Sequence, residues 1–552
     1  MFASAKLLIL AALLGATWAH DAHAERKTVC TITVNSPDEK AVFSRSLPPD
    51  KFQFVELVER GRPDWLASAC RQQIHCDIVV ISGHYDGGNE FFSDRAEANE
   101  FLPVDEIERV SCSDSCPGLF SQLKEVYLFG CNTLNAGAQR NASAEIERSL
   151  VRSGHSPADA ERMARVLSVR HGESSRDRMR QIFMNVPAIY GFSSVAPVGP
   201  AAAAILGRYF QAAGTGEIGS GRGSSRLLGH FAGHAMVVTG GMTDADPQAA
   251  YRRDICQFAD DRLSAAQKLV FIHRLLGREM AEARLFLDRI EEYVASLFAT
   301  DRREPTVAIA LDEIARDQAA RVRYLDFARD ADQPAIRARM MKLAHSLGWL
   351  SPEELRGELM QMFSQHLTRG VVSAADVDLA CLLNEGRELG QELDRLQLSP
   401  AQAGKPGHAA VLACLGSAEG HARALEALSS ANDGDVELAQ VYLYHRPIAD
   451  VTELRAASKA IASMNGSPAQ IRAIETLARH RLSDRQSLEQ LIRLFPETKS
   501  VGVQVAIASV LIRADYGSIT TPELAEMLRQ HRLKSPQGEN LIDVLIRRLP
   551  AP

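Results

Sequence analysis

Six short apolar runs divide the first half of the chain, at 28–36, 52–58, 76–84, 125–133, 188–194 and 234–241. They are rich in Val, Ile, Phe and Tyr, the residues that favour strands. The runs at 76–84 and 125–133 are apolar almost without interruption. That pattern predicts strands covered on both faces rather than strands with one wet face. Stretches at 62–73 and 201–212 read as helices. Strands alternating with helices predict an α/β fold with a mostly parallel sheet flanked by helices. A polar, charged segment at 140–182 separates the fourth and fifth runs and reads as a helical, solvent-facing insertion. Beyond about residue 260 the strand pattern gives way to successive helix pairs. Leu443, Leu477 and Leu511 recur 34 residues apart in equivalent helices. A fixed period of that size predicts an all-α helical-repeat domain, in which each helix pair buries its apolar face against the next.

The length of 552 residues supports this division. Single cores stop growing at about 250–300 residues. The expected organisation is a signal peptide at 1–24, an α/β domain at 25–250 and a helical domain at 251–552. The signal reading rests on Lys6, an apolar run from Leu7 to Ala19, and the small-x-small sequence Ala22-His23-Ala24. That run is shorter than the roughly 20 residues a membrane span needs. An exported mature chain, periplasmic or secreted, without a membrane span is therefore expected. A net charge of -7 gives no basic footprint for nucleic acid.

Export changes the meaning of the nine cysteines. Disulfides persist in oxidising compartments, and an odd number leaves one thiol over. By proximity along the chain, Cys112 with Cys116 and Cys70 with Cys76 are the expected local pairs. Cys381 and Cys414 read equally well as buried small hydrophobes. Cys131 is the candidate for the free thiol. It and His84 each stand at the carboxyl end of a predicted buried strand, the rim at which open α/β sheets bind ligands. An imidazole beside a thiol can take its proton, and the thiolate can then attack an amide carbonyl. No metal or cofactor is called for. Gly214-Thr-Gly216-Glu-Ile-Gly219 matches GxGxxG by letters but follows a helix, so it reads as a flexible loop rather than a dinucleotide site. A thiol–disulfide redox role finds no CxxC.

The blocks VVISGHYDGG (79–88) and VYLFGCNT (126–133) resemble the two catalytic blocks of clan CD cysteine peptidases, the group of caspases, gingipains, separase and the bacterial CHAT peptidases. Caspases place the His roughly 50 residues before the Cys. The resemblance covers about 25–245. It implies an endopeptidase acting on polypeptides, with His84 and Cys131 catalytic and the backbone N–H groups of Tyr85 and Cys131 forming the oxyanion hole. It also implies that Ser193 and Ser194 line the substrate groove, that Asp86 borders the specificity pocket, and that the 140–182 insertion holds an autoprocessing site. Two departures stand out: Tyr85 where the family has Gly, and Gly130 where many relatives have Ala. The helical region looks like degenerate HEAT repeats, with a tetratricopeptide-type array as the alternative, and would bind substrates or a protein regulator. The competing reading is a catalytically inactive caspase-like relative acting as a protein-binding scaffold, and Tyr85 is the feature in its favour.

Overall fold

The computed structural model describes residues 26–34, 36–57, 66–85, 90–93, 101–112, 116, 118–137, 143–152, 154–172, 174–396, 398–465, 468–479, 482–514, 522–534 and 541–549. The 1–24 segment, Asp86 and the 113–115 loop lie outside these residues. The chain forms two compact units, 1–314 and 315–552.

In chain order the strands are β1 (Lys27–Thr33), β2 (Phe52–Glu56), β3 (Ile78–Ser82), β4 (His84–Tyr85), β5 (Glu90–Phe92), β6 (Phe101–Pro103), β7 (Glu125–Phe129), β8 (Ala188–Phe192) and β9 (Met236–Thr239). The six expected strands form one sheet in the order β2-β1-β3-β7-β8-β9. All its neighbours run parallel except β8 and β9. The small antiparallel sheet β4-β5-β6 is an addition that the apolar pattern does not announce.

The uninterrupted apolar runs have a direct cause. Every residue of β3, β7 and β8 is buried. One face carries Val79, Ile81, Val126, Leu128 and Ile189 against Val104, Ile107 and Val110 of helix Val104–Cys112 and Met179 and Ile182 of helix Ser175–Ile182. The other carries Val80, Tyr127, Phe129, Tyr190 and Phe192 against Phe43 of helix Asp38–Ser46 and Leu206 and Phe210 of helix Gly199–Ala213. Alternation sends successive side chains to opposite cores, so both sets must be apolar.

The 140–182 segment is helical, as expected, but it is not simply solvent-facing. Its helices Ser143–Arg152, Pro157–His171 and Ser175–Ile182 bury Ile146, Leu150, Ala160, Ala164, Leu167, Met179 and Ile182. The charge pattern hid this because some of its arginines are used internally. Arg178 pairs with Asp105, and Arg289 reaches Asp105 at 2.7 Å and the buried Glu108 at 2.8 Å. Arg252 donates to the Gln181 and Ser111 carbonyls at 2.7 and 3.1 Å. These contacts tie helices Ala249–Ala259 and Leu287–Ser296 to the sheet's helical layer. They explain why the first compact unit continues past the expected boundary at 250.

The disulfides are Cys30–Cys76, Cys70–Cys116, Cys112–Cys256 and Cys381–Cys414. The two expected local pairs are therefore incorrect, because helix packing rather than chain proximity sets the neighbours. Cys112 ends one helix and faces Cys256 on the helix packed against it, with Cα atoms 4.9 Å apart. Cys30 on β1 lies beside the residue that leads into β3, and the register pairs Cys30 with Val79. Cys381 and Cys414 are bridged, not merely buried. Four disulfides fit an exported protein. No described helix is long and apolar enough to cross a membrane.

The second unit is helical throughout its described residues. Helix Pro468–Arg479 packs against both Asp433–His445 and Val501–Arg513, and Val451–Ala462 packs against Arg485–Glu497. Alternate helices thus form two rows. Leu443, Leu477 and Leu511 are all buried.

Two outcomes are expected. The mature chain, denatured without reductant, titrates one thiol with a chromogenic disulfide reagent and nine after reduction; two or more before reduction would contradict this pairing. Burial opposes charge on Asp105, but Arg289 and Arg178 outweigh it and hold its carboxyl below the ordinary value. Its contribution to stability is therefore present above about pH 4, the unfolded value, and is lost as pH falls below it. Arg289→Leu leaves Glu108 short of its partner and should cost about 3 kcal/mol in urea unfolding at neutral pH; an unchanged midpoint would remove this network from the fold's essentials.

Candidate active site

The site is built by strand register. β3 and β7 are parallel neighbours, with Ser82 opposite Phe129. One residue on, the Gly83 N–H donates to the Phe129 carbonyl at 3.2 Å. His84 and Cys131 each stand two residues beyond that last register pair, on one rim of the sheet.

A glycine allows the chains to close there. A Cβ at Gly130 would lie 2.8 Å from the Gly83 carbonyl oxygen and 2.9 Å from the Tyr85 Cβ. Gly130 is thus the residue that gives Tyr85 room. Tyr85 itself takes ordinary backbone geometry in β4, with its ring buried 4.9 Å from that of Phe91. A side chain is therefore accommodated at the position read as an oxyanion donor.

Past Cys131 the chain turns sharply. Asn132 has a φ of 58°, a left-handed conformation that Asn tolerates better than most residues. The turn is held by the Asn132 N–H donating to the Ser194 carbonyl at 2.8 Å and the Leu134 N–H donating to the Phe192 carbonyl at 3.0 Å. Thr133, fully buried, fastens it from within. Its hydroxyl donates to the Gly130 carbonyl at 3.2 Å and accepts the Phe192 N–H at 3.1 Å. Gly191 makes space for this clamp, since a Cβ there would lie 2.6 Å from the Thr133 hydroxyl oxygen. A glycine inside the apolar run 188–194 was the one sequence signal of that close approach.

No protein-family model, curated protein or solved structure matches this chain. The chemistry of the site is therefore read from its own residues.

Cys131 is half-buried and is the one cysteine not in a disulfide. Its sulfur accepts the Ala196 N–H at 3.3 Å, a contact with no signature in the sequence. Its own N–H makes no hydrogen bond to another described residue and so remains available as a donor. His84 is half-buried, with its ring 5.5 Å from that of Phe92. Ser193 and Ser194 reach the same rim along β8. The Ser193 N–H and hydroxyl both donate to the Ala235 carbonyl, at 3.1 and 3.2 Å, and the Ser194 carbonyl is taken by Asn132. An added strand would thus find the Ser193 N–H and the Ser194 carbonyl already engaged. Asp86, named from sequence, lies outside the described residues. Among the described residues no group of three or more His, Cys, Asp or Glu side chains is arranged to hold a metal ion.

Two other features belong elsewhere. The glycine-rich 214–223 segment is a loop, as expected, and is hydrogen-bonded to the sheet. Buried Glu125, at the opposite end of β7 from Cys131, accepts the Gly219 and Gly221 N–H groups at 2.8 and 3.0 Å. A groove of about 610 Å³ runs between helices Asp38–Ser46 and Gly199–Ala213 and is lined by neither His84 nor Cys131.

Replacing Thr133 by Val keeps the shape but leaves the buried Phe192 N–H unsatisfied. The expected loss is about 1–3 kcal/mol of unfolding free energy, read from urea melts. Stability equal to that of the parent would rule out the clamp.

Proposed function

We propose that the chain is an exported cysteine endopeptidase of the caspase-like type, with Cys131 as nucleophile and His84 as general base. The observation that supports this most is that eight of nine cysteines are bridged while the ninth stands at the rim His84 shares. In an oxidising compartment a half-buried thiol left out of every disulfide calls for a chemical use.

The steps follow from the groups present. His84 takes the Cys131 proton, and the sulfur attacks the scissile carbonyl carbon. The resulting oxyanion is stabilised by backbone N–H donors, with those of Cys131 and Tyr85 in that role. The intermediate collapses as the imidazolium gives its proton to the leaving amine, which leaves an acyl-thioester. Water, deprotonated by His84, then attacks the thioester carbonyl and releases the new carboxyl terminus and the thiol. Tyr85 and Gly130, the two departures from the family pattern, fit together: the tyrosine Cβ occupies the space that an alanine at 130 would need. Packed helices in 143–182 make that segment a poor autoprocessing site, because a peptidase needs extended backbone.

The helical unit is assigned to binding a substrate or protein regulator through HEAT-like repeats. Its support is the set of buried leucines 34 residues apart.

Cys131→Ala should abolish cleavage of a denatured protein substrate, at least a thousandfold in kcat/KM, without shifting the urea midpoint. Residual cleavage equal to that of the parent would end the peptidase reading. Selective alkylation of Cys131 without any turnover would favour the inactive, scaffold alternative.

A further inference from the structure

The small sheet has two unlike faces. Antiparallel register aligns Tyr85 with Phe91 and Phe91 with Leu102, and all three are buried in the core. The same register aligns His84 with Phe92 and Phe92 with Phe101 on the other face. There Phe92 is half-buried and Phe101 is 45% exposed. The core needs only the first row. The second row places two aromatic side chains in line with the proposed base, and side chains aligned across strands on one face are in contact range.

The loop that follows β8 repeats this character. Val195 and Val198 are 70% and 66% exposed and flank Ala196, whose N–H reaches the Cys131 sulfur. Exposed apolar side chains thus border both reacting residues. Scattered singly they would need no explanation, but grouped around one rim they mark a surface that something apolar covers. Glu90 shares the Phe92 face and is the described charged group of β5.

Resting on the peptidase reading, we propose that this site selects polypeptides with a large apolar side chain next to the scissile bond. Phe92 and Phe101 are the specificity-determining residues, and Val195 and Val198 form the opposite wall. An extended peptide lying across the rim puts alternate side chains on one side. One of them then rests on the Phe92–Phe101 row while the scissile carbonyl meets Cys131.

The test is a positional library of internally quenched peptides digested by the purified mature chain, its Cys131→Ala control, and the variants Phe101→Ser and Phe92→Ser. Phe, Leu and Met beside the scissile bond should be preferred over Lys, Arg, Asp and Glu by roughly tenfold or more in kcat/KM, as expected for filling an apolar subsite. Each variant should lower that preference about tenfold, and in Phe101→Ser alkylation of Cys131 by iodoacetamide should proceed at the parent rate. A Cys131-dependent preference for charged side chains, with Glu90 as the partner for a basic one, would overturn this inference and leave the peptidase reading standing. So would unchanged selectivity in Phe101→Ser. Absence of Cys131-dependent turnover for every peptide would overturn both. Phe101, at the surface, is the variant that keeps the test valid if Phe92→Ser fails to fold.

Discussion

The parallel pairing of β3 with β7 is the constraint on which the rest depends. It sets Ser82 against Phe129 and continues into the hydrogen bond from Gly83 to the Phe129 carbonyl. Two residues 47 apart in sequence then stand at the same rim of the sheet, each two positions past the last register pair. A shift of one residue in either strand would turn every side chain to the other core. Because Val79, Ile81, Val126 and Leu128 fill one core and Val80, Tyr127 and Phe129 the other, the two layers hold the register from both sides. The site inherits its geometry from hydrophobic packing.

The parts of this arrangement legible in the sequence are those with one dominant cause. β3, β7 and β8 stood out because burial on both faces demands an unbroken apolar run. The small sheet was invisible because its strands have two or three residues, too few for alternation to register. The cysteine pairs misled because short separation in sequence says nothing when a helix carries one partner away: Cys112 and Cys116 are near in the chain, yet each is bridged to a different element. The arginines of helix Ser175–Ile182 suggested a wet surface because charge was read without its partners, Asp105 and Asp246. At the rim, His84 and Cys131 could be named from strand ends. The Thr133 clamp could not, because a threonine in a turn has many equivalent readings until its buried partners are known.

The fit between Gly130 and Tyr85 shows why a departure at one position needs a second to be understood. Taken alone, a tyrosine in β4 suggests a blocked site. In the fold its side chain points into the core against Phe91, away from the face that carries His84. Its Cβ then takes the space over Gly130. The two positions act as one steric unit. The consequence for chemistry is small, since the backbone at 85 keeps an N–H with a tyrosine as with a glycine.

The disulfides complete the argument about the thiol. Three bridges lie in the sheet unit: Cys30–Cys76, Cys70–Cys116 and Cys112–Cys256. Cys30, Cys76 and Cys116 belong to the core on the face away from Phe129 and Phe192. Each bridge joins elements already brought together by packing. Exchange requires a thiolate to reach a disulfide sulfur directly, and the fully buried Cys30–Cys76 bridge withholds its sulfurs from a thiol on the sheet's rim. The same packing that sets the strand register thus also fixes which cysteines pair and leaves Cys131 unbridged. A sulfur half-open to solvent, held by the Ala196 N–H and left unbridged while the other eight cysteines are paired, remains available to react with a molecule from outside the chain.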